Sequence, residues 1–377
     1  MNELNSINMK KILFLDRDGT LIKEPDDQQI DTLEKLEFIP GVFRNLFKLV
    51  KQYDYELVMV TNQDGLGTIS YPIETFYKVQ EKLEKTFFNE EIEFKDILID
   101  CSFPDEKRPT RKPAKGLVEK YLNECLDYEK SFVIGDRITD LQLAKNMGIK
   151  GILLTTKDLY FDIIDNNNLF ACSSWDEITD VVRKNYRSVK TIRKTNETDI
   201  EINLSLDGNG TSNISTGQRF LDHMLEQLGK HTGVDLSIKV KGDLDVDEHH
   251  TIEDTALALG ETFRKALGNK KGIERYGFTL PMDDCLAQVA IDFGGRPWLV
   301  WNADFKHEKI GDLPTEMFYH FFKSFSDAAQ CNLNIKAEGT NEHHKIESIF
   351  KALAKAIKLA IKQNVNKMQI PSTKGIL

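Results

Sequence analysis

The second half of this chain contains an internal repeat, and a repeat of that size constrains the architecture before any single motif is interpreted. The stretch RFLDHMLEQLGKH has helical apolar spacing and is followed by a strand from Asp235 to Val240 and then by HHTIEDTALALGETFRKAL. Later, MFYHFFKSFSDAAQ is followed by a strand from Leu333 to Ala337 and then by HHKIESIFKALAKAIKLAI. His223 corresponds to His320, and the pair His249-His250 to the pair His343-His344. Chance agreement between two amphipathic helices would not also align the single histidines. A strand, a helix carrying one histidine, a strand and a helix opening on His-His are used twice. This predicts an α+β domain made of an internally duplicated sheet-and-helix half.

A helix that begins at His-His-x-x-Glu divides its ligands by geometry. Residues i and i+4 share a face, whereas i+1 is rotated by about 100°. His249 and Glu253 can therefore hold one ion while His250 reaches another; His343 and Glu347 repeat the arrangement, with His344 turned away. Two facing motifs form a reciprocal two-metal site, each giving two ligands to its own ion and one to its partner's. With the single histidines added, the expected sets are His223, His250, His343 and Glu347 for one ion, and His249, Glu253, His320 and His344 for the other. Nitrogen and oxygen donors without a thiolate, leaving open positions, suit Mn²⁺, Fe²⁺ or Zn²⁺.

All eight histidines stand at or beyond His223, so the first half must use different chemistry. There, short apolar strands (Ile12 to Leu15, Leu57 to Val60, Phe132 to Ile134, Gly151 to Leu154) alternate with helical stretches such as Pro72 to Phe87 and Lys115 to Leu126. That alternation predicts an α/β, Rossmann-like parallel sheet with helices on both faces. The pattern weakens near an Asn run and a Ser pair. The expected division is residues 1–165, a connecting segment 166–188 with a short docked helix from Trp175 to Asn185, and residues 189–377.

KKILFLDRDGTL sets Asp16 and Asp18 just past the C-terminal end of a buried strand, the edge of an open α/β sheet where ligands bind. A bare D-x-D-G-T is also a polar turn. Three further segments outweigh that: VMVTNQDG ends a strand with Thr61 and Asn62, TRKPAKG offers Lys112, and FVIGDRITD ends another with Asp136 and Asp140. In this order the segments resemble the haloacid-dehalogenase-like phosphatases. The resemblance implies that Asp16 is the nucleophile of an aspartyl-phosphate and Asp18 the acid that protonates the leaving oxygen. It implies Mg²⁺ held by Asp16, Asp136 and the Asp18 backbone, phosphate or substrate contacts from Thr61, Asn62 and Lys112, and a supporting role for Asp140.

The spacing from Asp18 to Thr61 to Lys112 leaves no room for an inserted cap domain, so a capless, open site is expected. TNQDGLGT and CSFPDEKRPTRKP are similar to histidinol-phosphate phosphatases and to their relatives acting on a heptose bisphosphate, which stands as the alternative substrate. Those relatives often carry a zinc-binding C-x-H plus C-x-C in that loop. Here only Cys101 remains, with Phe103, Arg108 and Thr110 near the other positions, so no zinc is expected and Cys101 is taken as a buried, inert thiol.

RKTNETDIEINLSLDGNG, TGQRFLDHML, DEHHTIEDTALALG, GIERYGFTLPMDD, DFGGRPWLVW and GTNEHHKIESIFKALAKAI resemble imidazoleglycerol-phosphate dehydratases, through to the terminal PSTKGIL. With the phosphatase half, the whole chain resembles the bifunctional histidine-biosynthesis proteins of bacteria. The resemblance implies two Mn²⁺ ions per dehydratase site and a 24-subunit shell with metal sites at subunit contacts, so the facing motifs can come from different chains. It implies loss of water from imidazole glycerol phosphate to give imidazole acetol phosphate, with Glu197 as the base and His231 near the substrate. Arg275, Arg296, Ser372 and Lys374 match the family's substrate and phosphate contacts, where an arginine fork can pair two oxygens at once. The family often has a histidine where Asn334 stands. A rival of another class is an assembly protein whose metal sites only hold a shell together.

The formal charge of -10 removes the basic footprint that nucleic acid or anionic lipid requires, leaving small phosphorylated imidazoles and other copies of the chain as partners. The five cysteines form no C-x-x-C pair, which fits a reducing cytoplasm. The apolar run near the N-terminus is too short for a signal-peptide core, and nothing later approaches a membrane span. His307 is expected at the surface, and Lys351, Lys355, Lys358 and Lys362 as the solvated face of the last helix.

Overall fold

The computed structural model describes residues 9–123, 126–156, 168–364 and 368–377, and the chain divides into two compact units, Met1–Arg183 and Lys184–Leu377. Cys125 and the expected boundary at residue 165 lie outside the described residues.

In the first unit, β1 (Ile12–Leu15) is followed by α1 (Val42–Tyr53), β2 (Glu56–Asn62), α2 (Ile73–Asn89), β3 (Phe94–Asp100), α3 (Glu119–Leu122), β4 (Phe132–Gly135), α4 (Ile138–Met147), β5 (Lys150–Leu154), β6 (Leu169–Cys172) and α5 (Trp175–Tyr186). The six strands form one parallel sheet in the order β3-β2-β1-β4-β5-β6. β1 and β4 are buried at every position, as befits central strands covered on both faces. The chain winds outward from β1 in one direction, then returns to β4 and winds outward in the other. The switch point between β1 and β4 therefore falls at the carboxyl ends that carry Asp16 and Asp136.

The stretch expected to connect the halves contributes structure of its own. β6 extends the sheet beside β5. Trp175 is fully buried, and its Nε1 donates to Thr20 O at 3.0 Å, directly behind the Asp16–Asp18 loop. Thr179 Oγ1 donates to Asn45 Oδ1 at 2.9 Å.

The second unit runs β7 (Ser188–Lys194), β8 (Thr198–Ser205), β9 (Ser212–Ser215), α6 (Arg219–Thr232), β10 (Asp235–Gly242), α7 (His249–Leu267), β11 (Tyr276–Met282), β12 (Cys285–Asp292), β13 (Trp298–Asn302), the small pair β14 (Lys309–Ile310) and β15 (Leu313–Pro314), α8 (Glu316–Ala329), β16 (Asn332–Glu338) and α9 (Glu342–Ala360). Its two larger sheets have the orders β7-β8-β10-β9 and β11-β12-β16-β13. Directions match as well: the first two pairings of each sheet are antiparallel and the last is parallel. Burial alternates along β8 and β12, so one face of each sheet joins a core shared with α6, α7, α8 and α9. Where α7 and α8 pack, a Cβ on Gly260 would lie 2.6 Å from Phe325 O, so glycine sets how closely these helices approach.

Candidate active sites

In the first unit, the end of β1 brings Asp16 into contact with Lys112, whose Nζ lies 2.7 Å from Asp16 Oδ1 and 2.7 Å from Asp140 Oδ1. Burial opposes the lysine's charge, but Asp140 and Asp16 hold its pKa above the usual value. Lys112 is placed by the neighbouring strand: its N donates to Asn62 Oδ1 at 3.1 Å, and Asn62 Nδ2 donates back to Lys112 O at 3.3 Å. Asp18 turns away from this cluster. Its Oδ1 accepts from Arg17 Nη1 at 2.8 Å and its Oδ2 from Gln63 Nε2 at 2.7 Å. Burial raises the Asp18 pKa against the opposing pull of Arg17 and Gln63.

Oxygens of Asp16, Asp136 and Asp140 lie within 4.8 Å of one another, and Asp136 Oδ1 is buried without a hydrogen-bond partner. Burial, with Asp16 and Asp140 close by, pushes the Asp136 carboxyl up to about 7. An all-oxygen set with an unpaired buried carboxylate oxygen fits a hard divalent cation. Gly19 permits this approach: its φ is +72°, and a Cβ there would stand 2.2 Å from Asp136 Oδ2.

Asp16, Asp18, Thr61, Asn62 and Lys112 all line one cleft of about 780 Å³. Sequence reasoning passed over Gln63, which is buried and bridges Asp18 to Thr61 Oγ1 at 2.9 Å while accepting from Tyr71 OH at 3.2 Å. It stands inside TNQDG and is chemically ordinary, so only the fold reveals its contacts. Cys101 corrects an expectation, being exposed rather than buried. Around it Asp100 organises the loop, accepting from Ser102 N at 3.0 Å and from the hydroxyls of Ser102 and Thr110, while Arg111 Nη2 donates to Asp64 Oδ2 at 2.9 Å.

In the second unit the repeat yields two triads, each from two helices, one opening on the motif and the other carrying the single histidine. His223, His343 and Glu347 form one, and His249, Glu253 and His320 the other, each with donor atoms within 4.8 Å. Glu253 Oε1 lies 2.7 Å from His320 Nδ1 and 3.3 Å from His249 Nε2. Nitrogen and oxygen donors without sulfur fit a first-row divalent ion. His250 and His344, expected as the remaining ligands, do not join a triad within the chain: they face Asp243 and Asp284 instead. This follows from the rotation of i+1 off the i, i+4 face.

Arg275, Arg296, Ser372 and Lys374 come together in a cleft of about 630 Å³ with Tyr276 and Leu377. Arg275 is oriented by Asp292, with Nη2 to Oδ2 at 2.9 Å, and its Nη1 donates to Pro371 O at 3.2 Å. His231 closes α6 with Nε2 3.0 Å from Gln227 Oε1; burial, then Lys355 and Lys351, lower its pKa. Lys351, taken from sequence as part of a solvated face, reaches Glu347 Oε1 at 2.8 Å and so borders a triad. Glu197 lies 3.9 Å from His250 Nε2. His307 is exposed as expected, yet its Nδ1 lies 2.7 Å from Glu342 Oε2. Asn334 is an exposed residue of β16, and nothing in the structure explains why it replaces a histidine.

The chain matches two family models: imidazoleglycerol-phosphate dehydratase over residues 216–357 and HAD-hydrolase-like over residues 109–158. The histidine biosynthesis bifunctional protein HisB of Bacteroides fragilis is 58% identical over 375 residues, which covers 98% of this chain and 100% of the relative. The crystal structure of imidazoleglycerol-phosphate dehydratase from Staphylococcus aureus is 35% identical and covers 47% of this chain and 99% of its own, with a TM-score of 0.43. That of D,D-heptose 1,7-bisphosphate phosphatase from B. bronchiseptica, complexed with magnesium and phosphate, is 22% identical and covers 45% and 96%, with a TM-score of 0.39.

Proposed function

The chain belongs to the bifunctional histidine-biosynthesis proteins, phosphatase and dehydratase in one polypeptide, and from that premise we propose the substrate and the working residues of each half. The first half, assigned to residues 1–165, hydrolyses L-histidinol phosphate. The second, residues 189–377, dehydrates imidazole glycerol phosphate to imidazole acetol phosphate.

In the phosphatase, Asp16 attacks the phosphorus and forms an aspartyl-phosphate. Lys112, touching Asp16, neutralises the approaching phosphate oxygens, and Thr61 and Asn62 complete their cradle. Asp18, clamped by Arg17 and Gln63 and raised in pKa, holds the proton that the leaving oxygen requires and then takes one from water. Asp16, Asp136 and the Asp18 backbone would hold Mg²⁺, which supplies positive charge against the transferring group. The open cleft supports a capless site. Histidinol phosphate is preferred to a heptose bisphosphate because the relatives matched along the full chain are histidine-biosynthesis proteins.

In the dehydratase, the observation that carries the assignment is the doubled triad, each joining the single histidine of one half to the motif of the other in a unit whose matching sheet orders we read as a duplication. Two Mn²⁺ ions would be held there and would activate the substrate imidazole as Lewis acids. Each triad accepts one further imidazole, and His250 and His344, which point elsewhere in the chain, fit that need if supplied by another copy. Exposed apolar side chains on the second sheet (Phe278, Leu286, Trp298 and Val300) support a homo-oligomer, and the family implies a 24-mer. Glu197 acts as the base, His231 stands near the substrate, and Arg275, Arg296, Ser372 and Lys374 hold its phosphate. No described helix is long and apolar enough to cross a membrane, and the biosynthetic role supports a cytoplasmic location.

The phosphatase assignment is tested by comparing phosphate release from histidinol phosphate and from heptose bisphosphate. The higher kcat/KM is expected for histidinol phosphate; preference for the sugar would overturn it.

A further inference from the structure

The two imidazoles that turn away from the triads are each held by a carboxylate, but the two carboxylates come from opposite strands of equivalent ladders. His250 Nδ1 lies 3.1 Å from Asp243 Oδ2, and His344 Nδ1 lies 3.0 Å from Asp284 Oδ1. In the β8–β10 ladder Thr198 faces Gly242, so the next step outward sets Glu197 against Asp243, and Asp243 N donates to Glu197 O at 3.2 Å. In the β12–β16 ladder Leu286 faces Glu338, so two steps outward set Asp284 against Thr340. Glu197 and Asp284 each immediately precede the first, buried residue of β8 and β12, so they occupy equivalent positions. Asp243 and Thr340 are equivalent in turn. The first half has a carboxylate on both strands, and the second on only one.

The chemistry of each pair is fixed by its acceptor. A carboxylate accepts and does not donate, so Nδ1 carries the proton and the Nε2 lone pair is left for a metal. Asp284 is itself immobilised: its Oδ2 accepts from Thr340 N at 3.0 Å, Thr340 Oγ1 at 2.8 Å and Asn341 N at 3.0 Å. Asn341 in turn caps α9, accepting from His344 N at 3.2 Å. Glu197, by contrast, is half-exposed and beyond hydrogen-bond reach of His250.

We propose that Asp243 and Asp284 are positioning residues that present Nε2 of His250 and His344 to the metals, and that their placement on opposite strands leaves Glu197 as the carboxylate free to move substrate protons. The proposal rests on the metal-dependent dehydratase assignment. It accounts for how a duplicated metal motif coexists with a single base: in the second half the position equivalent to Glu197 is spent on orienting a ligand, and Thr340 offers no replacement.

The test is Mn²⁺ titration of the metal-stripped full-length protein, reading bound ion by loss of the free-ion electron paramagnetic resonance signal. Asp243→Ala is expected to weaken one class of bound ion by roughly tenfold to a hundredfold, as loss of an outer carboxylate does elsewhere. Adding it to His250→Ala should weaken binding no further, whereas additive losses would overturn the proposal. Asp284→Asn keeps an acceptor and should bind Mn²⁺ more tightly than Asp284→Ala. Asp284→Ala also frees two backbone N–H groups at the start of α9, so Asp243→Ala decides the matter if Asp284→Ala does not fold. Glu197→Gln is expected to bind Mn²⁺ like the wild type while losing turnover; weakened binding would overturn the division of roles. If the wild type takes up no Mn²⁺, the dehydratase assignment itself fails. If it binds Mn²⁺ and turns over imidazole glycerol phosphate while Asp243→Ala binds normally, only this inference fails.

Discussion

Lys112 Nζ stands equidistant, at 2.7 Å, from Asp16 Oδ1 and Asp140 Oδ1, with all three side chains buried. One ammonium thus offsets the charge of two buried carboxylates. Lys112→Met is expected to lower phosphatase kcat/KM by at least about a hundredfold, the scale of lost transition-state charge stabilisation. It should also destabilise the first unit by about 3–5 kcal/mol, because a buried charge set loses its partner. Phosphate release and urea unfolding check the two effects, with dehydration as the unaffected reference.

Asp16→Asn removes the nucleophile and nothing that the second unit uses. Phosphate release should vanish while dehydration of imidazole glycerol phosphate proceeds at the wild-type rate. Loss of both activities in a folded protein would show that the halves do not work independently.

Gln63→Leu tests the clamp on Asp18. Without the 2.7 Å bond from Nε2, the acid loses one of its two orienting donors. The expected result is a fall in kcat of roughly tenfold or more, part of what a positioned acid contributes, with KM little changed. A rise in KM at constant kcat would instead place Gln63 in substrate binding.

Trp175→Ala tests where the first unit ends. The indole is fully buried and its Nε1 holds Thr20 O, so its loss leaves a cavity behind the Asp16–Asp18 loop. A destabilisation of about 3–5 kcal/mol is expected for the first unit, measured by urea unfolding followed through phosphatase activity. An unchanged midpoint would mean that α5 is dispensable to that unit.

What the sequence disclosed was local chemistry on regular elements. β1 was legible because four consecutive apolar residues precede two carboxylates, and the triads because i and i+4 on one helix meet by geometry alone. β3 was not, since Phe94–Asp100 mixes charged and apolar residues and is buried fully at only one position. β6 was not either, being fully buried only at Cys172, whereas α5 was legible as a short helix from Trp175 and only its anchoring by Trp175 on Thr20 needed the fold. Gln63 and Asp243 acquire their roles from a residue distant in sequence and from the register of paired strands, whereas Lys351 meets Glu347 at i, i+4 on α9. The repeat gave the single histidines their places, but the swap between Asp243 and Asp284 required the ladders.

The most direct test of the account is turnover of imidazole glycerol phosphate by the Asp16→Asn protein, which cannot remove the substrate's phosphate, before chelation, after chelation and after Mn²⁺ is restored. Imidazole acetol phosphate is expected to form, to stop forming once metal is removed, and to form again when Mn²⁺ returns. A folded, Mn²⁺-loaded protein that leaves imidazole glycerol phosphate unchanged would contradict it.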